Sequence, residues 1–169
     1  MRVYSLGRAK KLRNMKLYQL LATQTERMRT LIEVYLNFRG NAAEAAQYYA
    51  KVFGSAAPNV MRYSQMPEQD RGSMPEGTEN LVMHAYVQTF AGGIMLADDM
   101  PGSTAVPNSS MWVCLSHTDE KLLRRAFDGL AKDGEVIMPL EHTFFSPLYG
   151  QVKDKFGFHW MFMVPSPME

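Results

Sequence analysis

Glu33, His84 and His159 stand in stretches that alternate like strands, and a carboxylate with an imidazole is the pairing that general acid–base chemistry uses. Cys114, the single cysteine, would act as a nucleophile if a base stood beside it. Nothing near it in sequence lowers a thiol pKa, and cysteine is equally a common buried residue. His84 and His159 are each isolated on a strand, where hydrogen-bonded structural imidazoles are common. Glu141 and His142 are adjacent, so they face opposite sides of a strand unless a bulge intervenes. Asp98 and Asp99 read as turn formers at a strand end.

These residues need elements to position them. Leu31 to Phe38 is rich in β-branched, aromatic and aliphatic residues, and Arg39, Gly40 and Asn41 break the run. Asn41 with Glu44 resembles a capping box for a helix whose apolar face is Ala42, Ala45, Ala46, Tyr49, Val52 and Phe53, ended by Gly54. Strands are expected at 59–65, 81–89 and 94–98, the last two joined through Ala91, Gly92 and Gly93. The same order then recurs. A strand at 110–115 precedes a helix capped by Thr118, with Leu123, Ala126, Phe127 and Leu130 on its apolar face and Asp133 and Gly134 closing it. Strands at 135–143, 149–153 and 158–164 complete the repeat.

Two βαβββ modules, about 31–98 and 110–164, therefore flank a Pro-, Gly- and Ser-rich linker over 99–109. The expected fold is α+β, an eight-stranded mixed sheet curled around a pocket with the helices on its outer face. Strand parity sends Met83, Ala85 and Val87 towards a helix and leaves His84, Tyr86 and Gln88 facing the hollow. Glu33, Tyr35 and Asn37, Met95, Trp112 and Cys114, and His159, Met161 and Met163 join them as candidate lining residues. Seven of the 14 methionines fall on expected strands, where flexible thioethers fill core gaps or line an adaptable pocket.

Composition narrows the function classes. In 169 residues, 46% are hydrophobic, 21% are charged and the net charge is +1, which matches neither a nucleic-acid-coating nor a disordered chain. Apolar runs fall short of a membrane span, and one cysteine fits a reducing, cytoplasmic setting. Residues 1–27 are basic up to Glu26 and have amphipathic spacing, so they are expected as a helical extension to a domain over 28–169.

Several segments carry a family resemblance: Tyr35-Leu-Asn-Phe-Arg-Gly-Asn-Ala-Ala-Glu-Ala, Tyr48-Tyr-Ala-Lys-Val-Phe-Gly, Ile94-Met-Leu-Ala-Asp-Asp-Met-Pro-Gly and Asp154-Lys-Phe-Gly-Phe-His-Trp. Together they resemble the PhnB-like branch of the glyoxalase, fosfomycin-resistance and extradiol-dioxygenase (vicinal oxygen chelate) superfamily over about 32–164. The resemblance implies paired βαβββ modules, a small-molecule pocket and a homodimer. Catalytic members of the wider superfamily hold a divalent cation at positions that correspond here to Glu33 or Val34, Met95, Trp112 and Met161. Thioethers and an indole do not ligate Mg, Mn or Fe(II), so no metal is expected. No glycine-rich cofactor loop follows a strand, so no cofactor is expected either.

The reading that follows is a metal-independent small-molecule-binding protein, with Trp112, Tyr35, Tyr86 and Met161 against the ligand and Glu33, Asn37, His84 and His159 orienting its polar groups. The alternatives are a metal-dependent or acid–base lyase, isomerase or transferase, with Glu33 and His159 as its catalytic candidates, and a dimerisation domain with a vestigial pocket.

Overall fold

In the computed structural model, β1 (Val34–Phe38) buries Leu36 and Phe38 on one face and turns Tyr35 and Asn37 to the other. Residues 33–72 and 74–166 are described; the expected basic helix over 1–27 and the domain start at residue 28 lie outside them. Gly40, at φ 87°, turns the chain into α1 (Ala42–Phe53), a conformation that costs glycine little. The buried face of α1 holds Ala42, Ala45, Ala46, Tyr49, Val52 and Phe53, as helical spacing requires. It ends at Gly54 (φ 67°), where the Gly54 and Ser55 N–H groups bond the Lys51 and Ala50 carbonyls.

The start of α1 corrects the sequence reading. Asn41 makes no side-chain capping bond and instead accepts from Arg39 N at 3.3 Å. Asp98, read as a turn former, does the capping from the end of another strand. Its Oδ1 accepts from Gly40 N (2.8 Å) and Ala42 N (2.9 Å), and its Oδ2 from Val82 N (2.8 Å). One buried carboxylate thus ties the β1–α1 corner to the sheet.

The first sheet contains β1, β2 (Asn59–Arg62), β3 (Val82–Thr89) and β4 (Gly92–Asp98) in the order β1-β4-β3-β2, with β1 parallel to β4. Met61 pairs with His84 and Arg62 with Val82, so Met83 bulges out of the ladder. That slip gives the fully buried place expected for Met83 to Val82, whereas Ala85 and Val87 are buried as expected.

The second module repeats the plan. The strands β5 (Trp112–Ser116), β6 (Glu135–Thr143), β7 (Ser146–Lys153) and β8 (His159–Met163) form a sheet in the order β5-β8-β7-β6, with β5 parallel to β8. Among the described residues no hydrogen-bonded ladder joins the two four-stranded sheets. The helix α2 (Glu120–Ala131) buries Leu123, Ala126, Phe127 and Leu130. Its cap is Asp119, which accepts from Lys121 N and Leu122 N, and not Thr118. A carboxylate is the stronger acceptor at the positive end of a helix. Gly134, just beyond the end of α2, does not adopt a left-handed conformation. A Cβ there would lie 2.3 Å from the Lys153 carbonyl oxygen, so glycine is needed for close approach of the chains.

One core spans both modules. Trp160 of β8 packs against Tyr49 and Phe53 of α1, with ring centroids 5.4 and 5.7 Å apart. Asp154 sits at the centre of this contact and explains the Asp154-x-Phe-Gly-x-x-Trp pattern. Its Oδ1 accepts from Phe156 N (2.9 Å) and Phe158 N (3.0 Å), and Gly157 makes the turn at φ 92°. Its Oδ2 accepts from Trp160 Nε1 (2.7 Å) and from Tyr49 Oη (2.6 Å). The motif therefore clamps the β7–β8 hairpin to the first module's helix. No helix among the described residues is long and apolar enough to cross a membrane.

Candidate functional site

β1 and β5 are the outer strands of their sheets, and between them lies a cavity of about 200 Å³. Val34, Tyr35, Leu36 and Asn37 of β1 line one side. Trp112 and Val113 of β5, with Met111, Phe158 and His159, line the other. Ala105, Val106, Pro107 and Asn108 of the linker complete the wall. Consecutive residues of β1 contribute although their side chains alternate, which means the cavity lies along the strand's open edge. Such an edge also carries backbone N–H and C=O groups with no neighbouring strand.

Of the candidate residues, the cavity brings together Tyr35, Asn37, Trp112 and His159. The Trp112 and His159 rings are 4.8 Å apart at 59°, as the Trp112–His159 pairing of β5 with β8 requires. The indole N–H is held by Ser109 O at 2.8 Å, which fixes the ring against the end of the linker. His159 Nδ1 is buried without a hydrogen-bond partner among the described residues. A buried polar group left unpaired costs stability, and such a cost is often retained at a site of function. Replacing His159 with phenylalanine keeps a ring beside Trp112 and removes that cost. His159→Phe is therefore expected to raise the unfolding free energy by about 1 kcal/mol in a urea titration. A loss of similar size would mean that the imidazole is satisfied in solution.

The remaining candidates do not line this cavity. On the first sheet Tyr86 Oη donates to Glu33 Oε1 at 3.0 Å and lies 3.2 Å from Gln88 Oε1. Gln88 Nε2 is held by the Thr89 and Gly92 carbonyls. The cluster closes over Gly93, where a Cβ would come within 2.4 Å of both Tyr86 Oη and Glu33 Oε1. Desolvation first, and then the hydrogen bond to Glu33, push the Tyr86 hydroxyl above its ordinary pKa. It is thus a protonated donor at neutral pH. His84 lies beside Tyr35, with ring centroids 6.2 Å apart, and Met95 is the β4 partner of Tyr35 and Tyr86. On the second sheet Cys114 pairs with Met161. Desolvation raises the Cys114 thiol, which keeps it protonated and makes it a poor nucleophile.

Of the two residues at the first superfamily metal position, Glu33 precedes β1 and accepts from Tyr86, whereas Val34 lines the seam cavity. With either residue the corresponding set is completed by Met95, Trp112 and Met161. One carboxylate among two thioethers and an indole does not fit a hard divalent cation. Among the described residues no group of three or more His, Cys, Asp or Glu side chains converges.

The linker was missed as a wall of the site. Its sequence signal was present: Val106 is a large apolar residue in the Pro-, Gly- and Ser-rich linker, exposed yet lining the cavity.

Paired βαβββ modules with a cavity at their seam define a glyoxalase-like domain. Solved glyoxalase/bleomycin resistance proteins share this fold at TM-scores of 0.53 and 0.55 and identities of 8% and 13%, which speak for fold alone. The chain belongs to the PhnB-like family described as 3-demethylubiquinone-9 3-methyltransferase, whose pattern matches residues 30–163. Protein YjdN of Escherichia coli (strain K12) is 32% identical over 136 residues, which cover 77% of this chain and 92% of YjdN. Protein PA1353 from Pseudomonas aeruginosa is 28% identical with a TM-score of 0.68, covering 80% of this chain and 98% of its own. The PhnB protein from Bacillus cereus is 25% identical with a TM-score of 0.61, covering 80% and 99%. The expected family and the two-module fold are therefore borne out.

Proposed function

We propose that this protein binds a small molecule at the seam between its two modules and does so without a metal ion. The observation that carries the reading is the cavity of about 200 Å³, walled by β1, β5 and the linker and floored by the Trp112–His159 pair. Concave, largely apolar sites with a few polar groups are where small ligands bind. The donor set at the superfamily's metal positions supports metal independence. On this reading the domain over 28–169 works as a cytoplasmic homodimer, and the family's methyltransferase description does not name its activity.

Thermal-shift screening of chelator-treated protein against metabolites and antibiotics tests the proposal. A ligand present at 100 times its Kd stabilises the fold by about 2.7 kcal/mol, enough for a shift of several degrees. At least one compound is expected to raise Tm equally with and without EDTA. A ligand shift that disappears with EDTA, or a stoichiometric divalent metal in the purified protein, would overturn metal independence. The absence of any shift across the library would overturn ligand binding.

A further inference from the structure

We infer that the seam cavity selects an uncharged, single-ring aromatic molecule with a hydrogen-bonding group on its rim. This rests on the small-molecule reading above and adds the chemistry of the ligand. Size is the first argument. A cavity of about 150 Å³ admits a benzene ring, so the 200 Å³ present here holds one ring with a small substituent. Shape is the second. The space lies between two strand edges, and the Trp112 indole offers a flat apolar surface to a ring stacked at its side.

Charge decides the class. Among the described residues no Lys, Arg, Asp or Glu lines the cavity, and the polar side chains there are those of Tyr35, Asn37, Asn108, Trp112 and His159. An ionised ligand would lose its hydration there and gain no opposite charge, which costs far more than burial of the ring returns. A rim hydroxyl or amide would be matched by the Asn37 and Asn108 amides and by the backbone groups of the open strand edges.

Isothermal titration calorimetry with p-cresol, p-toluate and 4-methylbenzylamine separates the arguments, because the three share one ring and differ in charge. Expected is p-cresol binding at least tenfold more tightly than either ion. Asn37→Lys, at an exposed wall position, removes the amide that meets the rim hydroxyl and adds a positive charge, so it is expected to weaken p-cresol binding and to improve p-toluate binding at least tenfold. Equal or tighter binding of p-toluate or the amine by the unaltered protein would overturn the selection of a neutral ring and leave the cavity as a ligand site. Binding of p-cresol that Asn37→Lys and Trp112→Ala both leave unchanged would place it elsewhere and overturn the inference. Failure of all three compounds to bind would overturn it too, while the thermal-shift screen decides separately whether the cavity takes any ligand.

Discussion

Asp154→Ala is expected to lower the unfolding free energy by about 3–5 kcal/mol. The substitution leaves the Tyr49 hydroxyl and the Trp160 indole N–H without an acceptor in the core, and two backbone N–H groups of the β7–β8 turn with them. Each buried donor left unpaired costs about 1–3 kcal/mol. Urea titration followed by far-ultraviolet circular dichroism measures the loss, and a change under about 1 kcal/mol would show that the clamp is not needed.

The same carboxylate sets a pH dependence. Desolvation raises the Asp154 pKa above its ordinary value of 3.8, against the four hydrogen bonds that lower it. The folded state then holds a proton that the unfolded chain releases, so this contribution is fully present below the unfolded value and is lost as pH rises through the folded one. Asp154→Asn does not titrate. The stability advantage of the native protein over Asp154→Asn is therefore expected to be greatest near pH 3.5 and to shrink towards neutrality. An advantage that grows with pH would contradict the raised pKa.

Trp112→Ala is expected to weaken ligand binding at least tenfold, about 1.4 kcal/mol, and to leave the fold intact. Trp112 is only half-buried, and its indole N–H bonds a loop carbonyl at Ser109 and not the shared core. Removing the ring takes away the flat floor of the cavity and leaves the space too wide for a single ring. Affinity by calorimetry beside urea stability separates the two roles. A variant with unchanged affinity would show that the ligand does not touch this wall.

How much of this was legible in the sequence differs by element. Both helix faces were, because residues three and four apart on one helix meet the core whatever else the chain does. The repeat of βαβββ order was equally clear, and Glu135–Thr143 emerges as a strand with the expected ends. Caps were less legible. Asp98 lies 56 residues from the Ala42 N–H that it accepts, so no local pattern pointed to it. At the second helix Thr118 and Asp119 compete as neighbours, and the carboxylate wins. The Met83 bulge shifts one buried place by a residue, which alternation alone cannot foresee.

The site itself was partly visible. Parity placed Tyr35, Asn37, Trp112 and His159 on their faces, but it treated all eight strands as one continuous hollow. Grouping His84, Tyr86 and Gln88 with them depended on how the two sheets meet, a contact made between residues far apart in sequence. The linker's part in the wall depends on the same docking. Glu33 and Tyr86 form a hydrogen-bonded cluster of their own over Gly93, outside the seam.

The most direct test of ligand binding at the seam is a crystal structure of chelator-treated protein soaked with uncharged aromatic fragments. A fragment is expected between β1 and β5, against Trp112 and His159 and under linker residues 105–108, with no cation beside it. A seam filled by its own side chains with fragments bound elsewhere, or a ligand held there through a metal ion, would contradict it.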